Sequence, residues 1–562
     1  MHALRSGVND TLRSGMNDTL LAGVNDTLLA GVNDTLLAGL SVEQRTAVTC
    51  PQSPVCILAG AGSGKTGVLS RRIAWRVAHG TAEPGHTLAL TFTSRAATEL
   101  ADRLKGLGMG AGVTTGTFHS VALAQLRRRW ADASRRPAAV LKNRPAFLRC
   151  VVEESGVAAG ASPGYLEDAS AELSAEISWA KARSVDSTAY AAAAKTDVRR
   201  GPLLLTTELV AELFESYERR KRKRGVVDFD DLVEMCADAM EGDPLFAGAQ
   251  RWRFRHLFVD EAQDLNPAQW RLLDAWLGGR DDVCVVGDLR QAIYGWNGAA
   301  PDQLAQFAAR PTTTLLHLND NWRCTPQVLA CATAALDGGT MQSDDEGGAA
   351  WSSHPPSTAR AEPGPIPTLT CYADERAEAR GVAGLLTDAV GRGHQPGDCA
   401  VLARTNAQLV PVREALAEAG IAVAGEAGGR GVDVLTFHRS KGLEWAVVVL
   451  VGMVDGVVPL AGSEGPVLEE ERRLVYVAMT RAARELHCTW FGDSGLVQGR
   501  SVQGRTLPSP FVAHLPTGER RTDQSVAYGR SGRQQVQSLR RLLGVPSSST
   551  LTGPSAGATT GP

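Results

Sequence analysis

The chain has 562 residues, 43% of them hydrophobic and 21% charged, with a formal net charge of −3, long enough for about three or four domains with proper cores. That balance excludes a globally basic field, so any nucleic-acid contact must come from a local groove. No apolar run reaches the ~18 residues of a membrane span, the N-terminus lacks a signal-peptide hydrophobic stretch, and ten cysteines without a Cys-x-x-Cys pair predict buried free thiols in a reducing cytosol.

Residues 6–40 repeat an eight-residue unit, Ser-Gly-Val-Asn-Asp-Thr-Leu-Arg and its variants. A Gly and an Asn-Asp pair in every unit interrupt helix and strand alike, and the period is shorter than that of recognised solenoids. A low-complexity, poorly ordered tail over 1–39 is expected. From Leu40 the texture is α/β. Val55–Ala59 is a short apolar run that reads as a buried strand. It empties into Gly60-Ala61-Gly62-Ser63-Gly64-Lys65-Thr66, after which Val68, Leu69, Ile73, Ala74 and Val77 recur at helical spacing. Thr87–Thr91, Leu257–Val259 and Val283–Val286 are further strand candidates, alternating with helical stretches as a parallel sheet covered on both faces requires. Between Ser120 and Gly225 the sequence is rich in Ala, Arg and Glu without convincing parallel strands, which predicts a helical insert over 120–225. A second α/β set is predicted from Leu315–Leu318, Thr368–Tyr372, Cys399–Leu402, Val432–Thr436 and Val447–Val451. The passage 337–367, dense in Gly, Ser, Asp and Pro, reads as a flexible loop. Residues 517–562 read as a disordered tail with one candidate basic helix at Gln534–Leu543. The fold class is α/β, with one parallel-sheet domain from 40–119 and 226–310 and a second over 311–516.

Strand, Gly-rich loop and helix in that order make a phosphate-binding loop. The glycines let backbone N–H groups converge on phosphate oxygens at the positive end of a helix, Lys65 supplies a cation for the β and γ phosphates, and the Thr66 hydroxyl is placed to ligate Mg²⁺. Ala59 stands at the first position of the usual pattern, which fits a strand ending there. The loop alone predicts binding of a nucleoside triphosphate, not a reaction. Leu257-Phe-Val-Asp-Glu-Ala-Gln-Asp264 adds a strand that delivers Asp260 toward Mg²⁺ and places Glu261 to orient and deprotonate an attacking water. Two acids beside a phosphate loop predict hydrolysis; the blander alternative is an Asp-Glu pair that caps a strand.

These segments, in this order, resemble the UvrD/Rep/PcrA group of superfamily 1 DNA helicases, from Leu40 to about Pro516. The resemblance implies two RecA-like motor domains with an inserted helical subdomain, ATP and Mg²⁺ as cofactors, and single-stranded DNA and single/double-strand junctions as partners. Leu40–Val48 is similar to the Q motif, in which Gln44 would read the adenine edge. Thr91–Ala97 and Gly116–Ser120 are similar to segments that touch single-stranded DNA, which makes Phe92, Thr93, Ser94, Arg95, Thr117 and His119 implied contacts. Phe92 offers a flat face for a base, and hydroxyls with Arg95 suit phosphates; Phe92 and Phe118 as core aromatics is the alternative. Val285–Ala299 resembles motif III, with Gln291 sensing the γ-phosphate and Tyr294 and Trp296 stacking on bases. Leu318–Arg323 resembles motif IV and Glu469–Ala482 motif VI. With both placed in the second α/β set, Arg323 and Arg481 would reach the γ-phosphate as arginine fingers only when the domains close. Val434–Glu444 resembles motif V, with Thr436 and His438 toward DNA and Glu444 toward the ribose.

Three departures accompany the likeness. Gly67 stands where the family commonly has Arg, Trp322 replaces an adenine-stacking Tyr, and Asn297 replaces an Arg of motif III. Only about 110 residues separate Arg323 from Thr436, so the large helical domain called 2B is expected to be absent or vestigial. The expectation is an ATP-driven 3′–5′ DNA helicase or single-stranded DNA translocase, cytoplasmic and nucleoid-associated, acting in repair or replication, with the polarity carried by the resemblance alone. Two alternatives stay open. One is a translocase that displaces proteins without unwinding; the other is an ATP-gated DNA-binding protein with weakened motor activity.

Overall fold

The computed structural model describes residues 34–109, 112–162, 164–196, 204–337, 355, 357–425 and 431–492, with short stretches between 496 and 515. Most of the octapeptide repeat, the C-terminal tail with its candidate basic helix, and 338–354 of the Gly/Ser/Pro passage lie outside the described residues.

The first part of the chain supplies β1 (Val55–Ala59), β2 (Thr87–Thr91), β3 (Thr114–Thr117), β4 (Ala139–Val140), β5 (Val226–Val227), β6 (His256–Val259), β7 (Val283–Gly287) and β8 (Thr314–Leu318). Six of these form one sheet in the order β3-β2-β6-β7-β1-β8, every neighbouring pair parallel. Strands β9 (Asp320–Asn321), β10 (Thr358–Ala359), β11 (Thr368–Tyr372), β12 (Cys399–Ala403), β13 (Asp433–Thr436), β14 (Trp445–Leu450) and β15 (Ala482–Phe491) follow. The last five make a second all-parallel sheet, β11-β15-β14-β12-β13. Strands β1, β2, β7 and β12 are buried at every position. Burial on both faces is why they read as continuous apolar runs rather than as alternation. The α/β class with two RecA-like parallel sheets is the architecture observed.

Three expectations need correction. Strand β8, assigned above to the second set, pairs with β1 at the edge of the first sheet, Ala59 opposite Leu318. Sheet membership of a crossover strand is set by non-local packing, which its own five residues do not encode. The helical insert begins later than Ser120: the helix Phe118–Asp132 buries Phe118, Val121, Ala122 and Leu126 in the core of the first sheet. The insert has a core of its own, built from Leu148, Val151, Leu173, Ile177, Phe214 and Tyr217 on helices Arg144–Glu154, Tyr165–Ala182, Ser187–Lys195 and Thr207–Arg224. It returns to the first domain through the short parallel pair β4·β5. Finally, the described end of the 337–367 passage is tied down. Thr358 N–H donates to Asn319 O at 2.8 Å, Arg360 N–H to Asn321 O at 2.8 Å, and Gly364 N–H to the Gln327 side chain at 2.9 Å.

Strands β3 and β15 are additional elements. The small polar run Thr-Thr-Gly-Thr hides β3, and β15 begins directly after Arg481, inside a segment whose similarity to motif VI ends at Ala482. All ten cysteines are free, and nine are buried; Cys150 is exposed. Among the described residues no helix is long and apolar enough to cross a membrane.

Candidate functional site

A parallel sheet gathers the carboxyl ends of its strands on one edge, and loops leaving that edge are where such sheets bind ligands. In the first sheet β1 runs into the loop Gly60–Gly64, β2 into Phe92, β3 into Phe118, β6 into Asp260, β7 into Asp288 and β8 into Asn319. The second sheet presents its opposite edge. Trp445 pairs with Ala482, so the residues just before them, Glu444 and Arg481, stand together at the amino ends of β14 and β15. The two edges meet, and the candidate site lies in the seam.

On the first side, the helix Lys65–Ala78 starts from Gly64, which adopts a left-handed φ of 80°. Lys65 is buried, with its ammonium 3.7 Å from Asp288. Thr66 Oγ1 donates to Asp260 Oδ2 at 2.8 Å, so hydroxyl and carboxylate already face one point. Ser63 Oγ is buried without a hydrogen-bond partner in the same loop. An orphan donor, backbone N–H groups at a helix start and a hydroxyl–carboxylate pair fit a triphosphate with Mg²⁺. Burial and the adjacent Glu261 charge push Asp260 above the usual carboxylate range. Burial would also raise Glu261, but Lys65, Lys441, the Gln263 amide and Arg481 overcome it and hold that carboxylate ionised. Glu261 adopts φ 53°, a left-handed conformation that a non-Gly residue rarely takes outside functional sites.

Motif IV sits on this loop. Trp322 N–H donates to Gly62 O at 2.9 Å, and Asn321 Nδ2 donates to Ala61 O at 2.8 Å. A Cβ on Gly62 would lie 2.8 Å from both Arg323 Cβ and Asn321 Oδ1, and its φ is +67°, so this approach requires glycine. Arg323 Nε donates to Glu444 Oε2 at 2.5 Å and Nη1 to Thr480 O at 3.3 Å. Arg481 is buried, donating to Val477 O and Leu443 O; burial and the neighbouring Arg323 charge bring it down to about 9. Arg481 thus stands close enough to both Arg323 and Glu261 to feel their charges. Gln291 Nε2 donates to Asp288 Oδ2 at 2.6 Å.

Two residues have partners that the resemblance does not specify. Gln44 Oε1 accepts from Ser41 N–H at 3.0 Å in a capping box, and Nε2 donates to Ser63 O at 2.9 Å, leaving its second N–H and second lone pair for a base edge. It braces the phosphate loop. Glu444 pairs with Arg323, an ion pair that its spacing in the chain does not reveal, and its side chain stays 61% exposed. Trp322 remains half-exposed beside the loop.

A second group of residues gathers where β2, β3 and β7 end and the turn after β13 meets them. Phe92 stacks on Tyr294 with ring centroids 5.1 Å apart; Tyr294 lies 6.3 Å from Trp296 and 6.4 Å from His438, which meets Trp296 edge-on at 6.1 Å. Trp296 is 64% exposed, and burial with nearby Arg404 and Lys441 lowers His438 to about 4, leaving a neutral ring. Of Phe92 and Phe118, only the second is a core aromatic. His119 stacks on Phe229 at 4.5 Å, and Phe92, His119, Phe229 and Tyr294 wall a cavity of about 260 Å³. Thr93 and Thr117 cap helices, with Oγ1 accepting from Ala96 N–H and Ser120 N–H respectively. Ser94 and Arg95 begin the helix Ser94–Gly106 and are exposed; Thr436 ends β13.

Sequence reasoning missed Lys441, Asp264 and Phe229. Lys441 Nζ reaches Asp264 Oδ1 and Oδ2 at 2.8 and 2.6 Å and Gln291 O at 2.7 Å, and it lies 5.0 Å from the Tyr294 ring centre. It thereby joins motif V to the Asp-Glu-Ala-Gln-Asp box and motif III at once. Both residues lie inside segments already singled out, but only folding brings the segments together.

A phosphate loop and Asp-Glu pair on one parallel sheet, met by arginines from a second, define a nucleotide-binding protein of the P-loop class built across a seam. The family model described as UvrD/REP helicase N-terminal domain matches residues 40–312, and the UvrD-like helicase C-terminal domain matches 424–493. The chain is 32% identical over 586 aligned residues to a Mycobacterium tuberculosis (strain ATCC 25618 / H37Rv) protein named ATP-dependent DNA helicase UvrD2, covering 84% of this chain and 80% of that one. It is 33% identical over 410 residues to the same organism's ATP-dependent DNA helicase UvrD1, covering 68% and 49%. To DNA helicase II of Haemophilus influenzae it is 30% identical over 404 residues, covering 67% and 50%. The chain belongs to the UvrD/REP helicase family.

Proposed function

We propose that the chain is an ATP-dependent DNA helicase that moves 3′ to 5′ along single-stranded DNA by hydrolysing ATP in the seam between two RecA-like domains. The observation that carries this reading is the field around Glu261, whose carboxylate is held ionised by Lys65 from its own domain and by Lys441 and Arg481 from the other. Lys441 and Arg481 bring charge from the second domain to a base on the first, which ties hydrolysis to the two domains facing each other. The first domain takes in 40–132 and 226–310 together with β8; the insert and the second domain fill the remainder to about 516.

The roles assigned on this reading draw on the geometry for support. The loop Ala59–Thr66 cradles the phosphates, with Gln44 bracing it and Trp322 offering a π face beside it. Thr66 and Asp260 would hold Mg²⁺, which when bound supplies charge neutralisation at the phosphates. Glu261 orients and deprotonates water, Gln291 and Lys441 link that chemistry to motif III, and Arg323 and Arg481 stabilise charge on the transferring phosphoryl. The strand of DNA runs over Phe92, Tyr294, Trp296 and His438, with Thr93, Ser94, Arg95, Thr117 and Thr436 available to its backbone. The substrate class is single-stranded DNA and its junctions with duplex, in the cytoplasm at the nucleoid, in repair or replication.

A second reading, displacement of proteins from DNA without strand separation, is favoured by one observation. The described residues between Arg323 and Thr436 are occupied by β10, β11, β12, the start of β13 and the helices packed on them. Strand separation on 3′- and 5′-tailed duplexes, run beside streptavidin displacement, tests both. Unwinding of the 3′-tailed duplex alone supports the first reading, displacement without unwinding the second, and a 5′ preference defeats the polarity.

A further inference from the structure

Phe229 is a large apolar side chain left 56% exposed, yet its neighbours on both sides are pinned. Asp228 accepts from Lys181 Nζ at 2.7 Å, Lys221 Nζ at 3.0 Å and the Tyr217 hydroxyl at 2.8 Å. Asp230 accepts from Arg144 Nη1 at 2.7 Å and Ser178 Oγ at 3.1 Å. Asp231 closes the turn, its Oδ2 accepting from Asp228 N–H at 2.7 Å while Asp228 Oδ1 accepts from Asp231 N–H at 2.9 Å. The same two ammonium groups reach Asp231 at 2.5 Å and Glu218 at 2.8 and 3.0 Å. Glu218, Asp228 and Asp231 are close enough together to hold a cation. Lys181 and Lys221, with side chains 4% and 2% exposed, already satisfy them.

All the side-chain donors come from the helical insert, and all the acceptors except Glu218 belong to the turn that carries Phe229. The insert is also fitted to motif III: a Cβ on Gly298 would lie 2.5 Å from Ala182 Cβ, next to Lys181 on the helix Tyr165–Ala182. A buried network in which each carboxylate is paired with a cation holds one arrangement. An exposed aromatic fixed in advance loses little freedom when a base stacks on it.

We propose that Lys181 and Lys221 are positioning residues for nucleic acid: from the insert they lock the Asp228–Asp231 turn so that Phe229, stacked on His119, is held ready for a base. This rests on the reading that single-stranded DNA runs over the aromatic face. The insert then sets the grip of the first domain on DNA without touching it.

The test is a double-variant cycle on the full chain, with ATPase titrated by an oligo-dT strand. Phe229→Ala raises the half-saturating DNA concentration on the order of tenfold, the scale of one lost base stack. Lys181→Met produces a similar rise with turnover at saturating DNA within about twofold, Lys181→Arg recovers most of it, and Phe229→Ala combined with Lys181→Met is no worse than Phe229→Ala alone. Should Lys181→Met fail to fold, Tyr217→Phe, which removes one hydroxyl donor and keeps the ring, takes its place in the cycle. Effects that multiply in the double variant overturn the proposal. So does an unchanged half-saturation in Phe229→Ala when Tyr294→Ala raises it; no change in either defeats the underlying DNA path instead.

Discussion

Replacing Lys441 by Met removes the ammonium that crosses the seam while keeping most of its stem. With 2.6 and 2.8 Å to the two Asp264 oxygens and an effective dielectric constant of ~20, the attraction is roughly 6 kcal/mol before desolvation. Both side chains are nearly inaccessible, 8% and 1% exposed. Breaking such a pair strands the remaining charge, at about 3–5 kcal/mol. Asp264 has a way to limit that cost: burial pushes it up to about 7 even with Lys441 present, so without the ammonium it takes up a proton. A carboxyl whose folded pKa lies above its unfolded value contributes stability that is complete below the unfolded value and disappears as pH rises through the folded one. Lys441→Met therefore costs least near pH 6 and about 3 kcal/mol near pH 8.5. Adding Asp264→Asn returns most of the loss, because no buried charge is left unpaired. Midpoints of urea unfolding at the two pH values measure this. A loss independent of pH, or one that Asp264→Asn leaves intact, would refute the reasoning.

Glu378 offers a pH test away from the seam. Its Oε1 accepts from Gly452 N–H at 2.9 Å and Thr489 Oγ1 at 2.6 Å, while burial raises it to about 7. Stability is thus complete below the unfolded value, falls as pH rises from there, and levels off above about 7; Glu378→Gln should flatten that decline, by up to ~3 kcal/mol, as read from urea midpoints between about pH 4 and 8. Gly298→Ala places a methyl 2.5 Å from Ala182 Cβ at a φ of +90°. The expected loss is about 2 kcal/mol, seen as a lower Tm, and an unchanged Tm would show that the insert yields there.

The chemistry-bearing segments were legible because each is local: a phosphate loop needs its glycines and lysine in one run, and Asp260-Glu261 follow directly on a buried strand. What joins them was not. Strand β8 took its place beside β1 through a crossover, and its own sequence carries no trace of that choice. Arg323 with Glu444, Lys441 with Asp264, and Phe229 with His119 are partners separated by long stretches of chain, each residue polar or aromatic for reasons visible only after folding. Gln44 illustrates the converse, since Ser41 and Gln44 alone spell the capping box that the structure forms. The start of the insert was misplaced because the helix after Thr117 has a composition like the helices that follow, and only its buried Phe118, Val121 and Leu126 attach it to the first sheet.

The central claim is that residues beyond the first sheet complete the pocket for hydrolysis. The most direct measurement is ATP turnover by Arg323→Ala at saturating single-stranded DNA, since its partner Glu444 has a side chain 61% exposed and tolerates the loss. Turnover lower by on the order of 10³-fold, with nucleotide affinity within a few-fold, is the predicted result. Turnover equal to that of the unsubstituted protein would contradict the account.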